Sequence, residues 1–495
     1  MAGAALAIAA QPGTARAFCG FYVSGSGEKM FNDATNVVLM RQGTRTVLAM
    51  QNDYKGPLED FAMVVPVPVV LHEADVKTLE KTVFDHTDAL GSPRLVEYWE
   101  QDPCPFVEPA DAIRITGTMI ERRVMQSPAP IGETSSVRIE AKFEVGEYKI
   151  LILSATDSAG LETWLRQNHY KIPPGAAPLL RPYVESGSKF FVAKVDPKKV
   201  AMQGGHAALS PLRFHYDTDE FTLPIRLGMA NSSGTQDLIV NIISADKRYE
   251  VANYKNAFIP TNLDVQPEVK TRFAEFYAAL LDKTIEANPR AVITEYAWTA
   301  VPNYHCDPCT DADVSDPDLN VLGGEIVGGP IAQGSFVLTR LHARYGPGDM
   351  TDDLRFREAA PVAGGREQWT QAGLEAGAAP SPQNFFQARY AIRHPFTGLI
   401  RCAHPKRGVW GLPPNGIFEP TVAAHQLAFA PRGKLALASV VTRDVPEIGV
   451  KKAARPRPSG GKPATPPIKK LQGVGLGALL GILVLVTVLV LRRRR

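Results

Sequence analysis

Three residues in the middle of the chain have the types and the spacing for chemistry: His305, Cys306 and Cys309, in the run HCDPC. Two thiols three positions apart form a redox dithiol, half of a zinc site or a structural disulfide. The redox reading needs the first cysteine to open a helix in a βαβ unit, whereas this pair leads into Thr310, Asp311, Ala312 and Asp313, a loop sequence. The zinc reading needs two further ligands, for which Cys402 and His404 are available. The favoured reading is a structural disulfide, within the pair or to Cys19 or Cys104, with His305, Cys306 and Cys309 kept as the alternative reactive site. The chain has 5 cysteines, and an odd count leaves at least one thiol without an intramolecular partner.

The remaining candidates are weaker. Asp307, Asp311, Asp313, Asp316 and Asp318 form an acidic run, but a calcium loop starting at Asp311 would place Asp316 at the turn glycine and Leu322 at the bidentate glutamate. A solvated acidic turn is the simpler account. His72-Glu73 lacks the second histidine of a zincin helix, and no G-x-S-x-G elbow occurs. The glycines and lysine around Gly25 and Lys29 have no phosphate-loop register. His342 and His394 sit in strand-like sequence, where a satisfied polar residue is the expected role. No catalytic residue, metal ligand or cofactor is assigned, and the reading leans away from an enzyme.

The elements that would position such residues are mostly strands. Residues 37–40 and 46–50 flank a turn at 41–45, a hairpin signal. Residues 61–65 run into Pro66-Val67-Pro68, which predicts an extended edge strand. Asp75 can cap a helix carrying Val76, Leu79, Val83 and Leu90, and Ser92-Pro93 reads as the start of another. Strands are expected at 148–153, 190–195, 214–227, 237–244, 291–298, 335–344 and 385–393, with a short helix at 159–168. The strongest helical stripe runs from 267 to 287 through Val269, Phe273, Phe276, Tyr277, Leu280, Leu281 and Ile285. Residues 360–382, rich in Ala, Gly and Pro, read as a mobile loop. The expected fold class is α+β, a strand-dominated ectodomain with a few packing helices plus one C-terminal transmembrane helix.

Charge divides the chain. The net +3 hides an acidic body, because eleven basic residues and no acidic ones follow Glu447; the remaining 43 Lys and Arg face 51 Asp and Glu, a balance of −8. Nucleic-acid binding by such a body is not expected, since phosphate contact needs clustered cations. Residues 451–470 are a basic Pro/Gly-rich stem. Beyond it, residues 473–491 carry no charge; at about 1.5 Å per residue they reach roughly 28 Å, close to the ~30 Å of a bilayer core. The expected organisation is therefore a signal peptide at 1–17, cut after Ala15-Arg16-Ala17, and an ectodomain at 18–450, as one domain or two lobes meeting near 255. The stem follows at 451–470, then a transmembrane helix at 471–491 and a cytoplasmic arginine tail at 492–495. Gly473, Gly477 and Gly481 share a helix face that would allow helix-mediated homodimerisation.

Five segments carry a family resemblance: residues 17–23 (AFCGFYV), 61–68 (FAMVVPVP), 209–214 with 221–226 (LSPLRF, FTLPIR), 306–309 (CDPC) and 338–345 (LTRLHARY). Together they resemble DUF2330, a family of uncharacterised bacterial exported proteins, over roughly residues 17–350. The resemblance implies an envelope location, often with a C-terminal membrane segment, and no assigned activity or site residue. The expected function is that of a membrane-anchored envelope protein, single-pass with its body extracytoplasmic, acting as a binding or structural ectodomain toward an unknown envelope partner. The alternatives are an extracytoplasmic hydrolase or thiol-linked enzyme with its site near His305 and Cys309, and a cytoplasmic tail-anchored protein.

Overall fold

The central hairpin carries apolar side chains on both faces: Val37, Leu39, Leu48 and Met50 on one, Val38, Met40, Val47 and Ala49 on the other. A sheet built from such strands has no solvent face and must be covered twice. The computed structural model has this arrangement. It describes residues 21–23, 31–55, 62–104, 137–170, 172, 176–203, 206–231, 235–300, 314–346, 348–367, 369–370, 373–414 and 434–454. Met1–Lys452 form one compact unit and Ala453–Arg495 a second; every element below belongs to the first.

The main sheet has 11 strands. Its middle runs Ala291–Ala300, Phe336–Tyr345, Gln236–Ser244, Phe31–Gln42, Arg45–Lys55, Leu212–Asp217. Neighbours pair antiparallel except Gln236–Ser244 with Phe31–Gln42, which run parallel. Strands from both sides of residue 255 thus interleave in one sheet. A five-stranded sheet, ordered Phe21–Val23, Ala62–Val67, Lys189–Val195, Tyr148–Ala155, Val137–Val145, packs one face onto the main sheet through Val65, Ile150 and Phe191. The helices Ser158–Gln167 and Ala176–Glu185 cover its outer face with Leu161, Leu165 and Leu180. Thr82–Gly91 and Phe273–Ala287 cover the other side of the main sheet. The fold is strand-dominated α+β, as the sequence pattern indicated. Among the described residues no helix is long and apolar enough to cross a membrane; the expected span at 471–491, its glycine face and the signal peptide at 1–17 lie outside the described residues.

Several local expectations change. The hairpin turn tightens to Gly43-Thr44, with Gly43 at φ 57. Ala62–Val67 is an inner strand, not an edge: Phe21–Val23 pairs with residues 62–64 on one side and Lys189–Val195 lies on the other. Pro66 itself lies beyond the three described pairs of that outer strand, and its position in the ladder faces Phe190 on the other side. The helix expected from Asp75 is a turn, Glu73–Asp75, then a strand, Val76–Thr78, and the helix begins only at Thr82. Ser92-Pro93 starts no helix; Arg94–Glu100 (RLVEYWE) is a strand, drawn into parallel pairing with Arg389–His394. The expected mobile loop at 360–382 contains the short strands Val362–Gly364 and Ala379–Pro380. Arg366 bonds Glu375 through its main-chain N and its guanidinium (2.9–3.1 Å), and Glu367 bonds Arg393, which ties that segment down.

Gly323 lies where the turn after Asp316–Leu319 docks on the hairpin, at φ 133, and an added Cβ would sit 2.7 Å from Val47 Cγ1. Gly323→Ala is expected to cost about 1–3 kcal/mol, the usual penalty for a forbidden backbone region. Urea denaturation checks this; an unchanged midpoint would mean the turn does not pack on Val47.

Candidate functional site

Where the five-stranded sheet leaves the main sheet, a cleft of ≈ 340 Å³ opens. Leu48 and Phe214 of the main sheet form its apolar floor, and Val65 to Pro68 form one wall. The opposite wall brings together Tyr183, near the end of the Ala176–Glu185 helix, with Pro224, Arg226 and Asp353. Asp353 organises this wall. Its Oδ1 accepts from the Tyr183 hydroxyl (2.6 Å) and the Ile225 main-chain N (2.8 Å), and its Oδ2 from the Arg226 guanidinium (2.9 Å). The guanidinium also lies over the Tyr183 ring, 4.9 Å from its centroid. Burial raises the Tyr183 phenol well above its ordinary pKa, and the Asp353 charge raises it further. Burial alone would lower Arg226, but its bond to Asp353 raises it instead. The wall therefore presents a permanent cation and a neutral phenol, beside the exposed Arg355, Glu220 and Asp352. Among the described residues no His, Cys or Lys lines the cleft. It can hold a ligand by apolar contact and a few oriented polar groups, the usual make-up of a binding site.

A second cluster of ionisable groups sits on the opposite face of the same sheet. Arg340, His342 and Arg344 alternate along Phe336–Tyr345, so all three point away from the cleft. Glu295 faces them from a bulge: Thr294 pairs with Leu341 and Tyr296 with Arg340, leaving Glu295 as the extra residue. Its carboxylate accepts from Arg340 Nε (2.7 Å), His342 Nδ1 (2.6 Å) and the Tyr277 hydroxyl. His342 Nε2 donates to Asp237 (2.9 Å), which also takes Arg344 Nε (2.5 Å); Arg340 reaches Asp88 and Arg344 reaches Asp282. Burial would push the His342 imidazolium down, yet the Glu295 charge and the bonds to both carboxylates lift its pKa to about 9. Burial would raise Glu295 and Asp237, but the charge of His342 on the first and of Arg344 on the second hold both at about 2. Glu295, His342 and Arg340 are buried and none lines the cleft. The ladder holds strands and helices together.

Cys19, His305, Cys306 and Cys309 lie outside the described residues, as do Asp307, Asp311 and Asp313. Cys104 is disulfide-bonded to Cys402, with Cα atoms 5.5 Å apart. That partner differs from those expected, and it removes Cys402 from the proposed zinc set. Among the described residues no group of His, Cys, Asp and Glu has the arrangement of a metal site. Asp318 belongs to a capping box with Ser315 that starts Asp316–Leu319, and also bonds His86 (3.1 Å). His394 bonds Glu97 (2.7 Å) and stacks on Trp99. Sequence reasoning missed Tyr183, Arg226 and Asp353, which are brought together only by folding. The ladder had a legible signal, since Arg340, His342 and Arg344 occupy alternate positions of an otherwise apolar strand.

Two of the five segments that carry the resemblance, 61–68 and the pair 209–214 with 221–226, supply cleft residues, and 338–345 supplies Arg340, His342 and Arg344 of the ladder. The chain matches the family DUF2330, uncharacterized proteins conserved in bacteria, over residues 13–357. It belongs to this family. No curated protein and no solved structure matches it. The DUF2330 match ends four residues past Asp353, so the cleft lies within the family region and the strands after 357 lie outside it.

Two outcomes follow from these geometries. His342 has a folded pKa of about 9 against an ordinary 6.5. Its stabilisation is therefore complete below about pH 6.5 and lost as pH rises through about 9. Glu295 and Asp237 act oppositely: their contribution is complete above the ordinary carboxylate range and lost as pH falls through about 2. Denaturant midpoints across pH should peak between about 5 and 6.5, and His342→Gln should flatten the alkaline limb. In the cleft, Asp353→Asn should cost about 1.5–3 kcal/mol, the worth of hydrogen bonds to a charged group. A thermal shift within 1 °C of the parent, read against the roughly 2–4 °C per kcal/mol of smaller domains, would show that Asp353 does not organise the wall.

Proposed function

We propose that this DUF2330 protein is a single-pass envelope protein whose body lies on the extracytoplasmic side and binds a ligand or envelope partner in the cleft without transforming it. The observation that carries the reading is the disulfide between Cys104 and Cys402, 298 positions apart. Such bonds persist in oxidising compartments and are rare in a reducing cytosol. The uncharged run at 473–491, followed by four arginines, supplies the anchor, and the signal-like start supplies export. The Gly473, Gly477 and Gly481 face supplies a surface for pairing of two anchors. Binding is favoured over catalysis by the content of the cleft: an immobilised Arg226, a Tyr183 phenol kept neutral by burial, and apolar walls.

Non-reducing mass spectrometry of protein alkylated in its native membrane should yield the linked Cys104 and Cys402 peptides. Alkylated, separate Cys104 and Cys402 would put the body in a reducing compartment and end the proposal. Reduction of the purified chain should lower stability by about 2–5 kcal/mol, as loss of a native disulfide does in secreted domains. Native mass spectrometry of the extracted protein is expected to show bound mass that Arg226→Ala releases; turnover of that mass into product would favour an enzyme instead.

A further inference from the structure

Large apolar side chains exposed among the described residues are concentrated in one place. Leu399 is 79% exposed, Ile400 43%, Val409 51% and Leu412 56%, and all four belong to a single loop that follows Arg389–His394. The loop is built to hold them outward. Cys402 is bonded to Cys104, the Lys406 main-chain N donates to Pro103 (2.9 Å), and the Gln101 N donates to Val409 (2.8 Å). Glu100 clamps the base, accepting from the main-chain N of Phe396 (3.0 Å) and of Gly408 (2.7 Å) and from Arg407 (2.7–2.8 Å). Trp410 then pairs with Glu100 as an edge strand, with Arg393 over its ring. Exposure here is held by a disulfide and a network of hydrogen bonds, so it is not the fraying of a loose segment.

The charge of the loop is one-sided. Between Glu375 and Glu419 the sequence contains no acidic residue. Arg401 and Lys406 are exposed, and neither side chain has a carboxylate partner among the described residues, whereas Arg407 and Arg393 are occupied. Among the described residues, the acids of the adjoining strand and turn are engaged: Glu100 with Arg407, Glu97 with Lys270 and His394, and Asp102 with the Cys104 main-chain N. Protruding Leu, Ile and Val beside Trp, Arg and Lys is the composition that enters a headgroup layer, with the apolar tips below the phosphates and the cations at them.

Position agrees with composition. The loop extends one edge of a four-stranded sheet ordered Leu263–Val265, Arg389–His394, Arg94–Glu100, Trp410–Gly411. Val441 bridges to Val265 at the other edge, and Val450 pairs back on Val445, so the chain leaves the body beside that edge at Lys452. Three strand spacings separate the two edges, about 14 Å. In the sequence, 20 residues (453–472) separate Lys452 from the start of the apolar run. On the membrane-anchored reading, so short a connection holds the body, and this loop with it, at high effective concentration near the surface into which the run inserts.

We infer that the loop at 395–412 is a second membrane contact: it docks the body onto the anionic lipid surface beside its own anchor, inserting Leu399, Ile400, Val409 and Leu412 while Arg401 and Lys406 meet lipid phosphates. This rests on the membrane-anchored reading above. The test uses hydrogen exchange of the full chain in nanodiscs containing phosphatidylglycerol, in nanodiscs of phosphatidylcholine alone, and in detergent. Amides 399–412 should exchange about thirtyfold more slowly on the anionic bilayer than in detergent, since two cations contribute about 1 kcal/mol each at such a surface. Arg401→Glu with Lys406→Glu should abolish that difference, and so should Leu399→Asp with Ile400→Asp; all four side chains are exposed, and unchanged slow exchange of the Phe336–Tyr345 strand in the same experiment reports that each variant remains folded. Equal exchange in all three media, with the chain retained in the disc after alkaline carbonate, would overturn docking while leaving the anchor intact. Loss of the chain into the carbonate supernatant would overturn the anchor instead. Docking would then be decided by sedimentation of the free chain with phosphatidylglycerol vesicles, where failure to sediment overturns it. Protection that follows protein concentration and ignores lipid would identify a second copy of this chain as the occupant and also overturn it.

Discussion

A carboxylate with no access to water fixes the centre of this molecule. An unpaired buried charge costs several kcal/mol even after the surroundings relax, so Glu295 can occupy its bulge only if its donors arrive with it. Those donors come from separate parts of the chain: Arg340 and His342 from the neighbouring strand, and Tyr277 from the helix laid across both. The requirement then propagates. His342 needs Asp237, Arg344 needs Asp237 and Asp282, and Arg340 needs Asp88. Four carboxylates face three cations when His342 is protonated, and two when it is not, which is why the imidazole holds its proton so firmly. The remaining negative charge is best placed on Asp282, the most exposed of the four, where water screens it.

Ion pairs of this kind are not a large source of net stability, because desolvation offsets much of their attraction. Their effect is on register. A one-residue slip of Phe336–Tyr345 would turn Arg340, His342 and Arg344 into the apolar layer shared with the five-stranded sheet and leave Glu295 unpaired. The same slip would move Leu341, Ala343 and Tyr345 away from that layer. Ladder and core therefore specify one alignment of the main sheet. The cleft depends on it, since Leu48 and Phe214 form its floor from strands of that sheet and the second sheet stands on the same face.

The disulfide works at the other end of the molecule and on a different problem. Residues 395–412 have few buried apolar contacts of their own, and their order comes from Glu100, Gln101, Pro103 and the Cys104–Cys402 bond. Order without burial leaves apolar side chains outside, an arrangement seldom retained on a soluble surface unless something covers it.

Much of the fold was legible because period and punctuation are local. Residues 148–153, 190–195, 237–244, 291–298 and 335–344 announced their strands, and the stripe through Phe276, Tyr277, Leu280 and Leu281 announced its helix. Reading failed where a distant partner overrode a local cue. Ser92-Pro93 looked like a helix start until Arg389–His394 drew the following residues into a sheet, and the segment ending in Pro66 looked like an edge although Phe21–Val23 and Lys189–Val195 pair with it from either side. The site was less legible than the fold. Asp353 gains its meaning from Tyr183 and Arg226, 170 and 127 residues away, and no spacing rule spans such distances. Cysteine spacing likewise drew attention to Cys306 and Cys309, while Cys104 found Cys402 across the chain.

By itself the sequence determined the class of the fold, the family, the division into an acidic body and a basic tail, and the uncharged run at its end, because each is a property of composition or of neighbours along the chain. Tertiary structure alone decided which cysteine meets Cys104, that Arg340, His342 and Arg344 are buried rather than solvated, and that Tyr183, Arg226 and Asp353 share one cleft wall. Those are contacts between residues far apart in the chain, and they exist only once burial has made it more costly to leave each charge and polar group alone than to bring its partner to it.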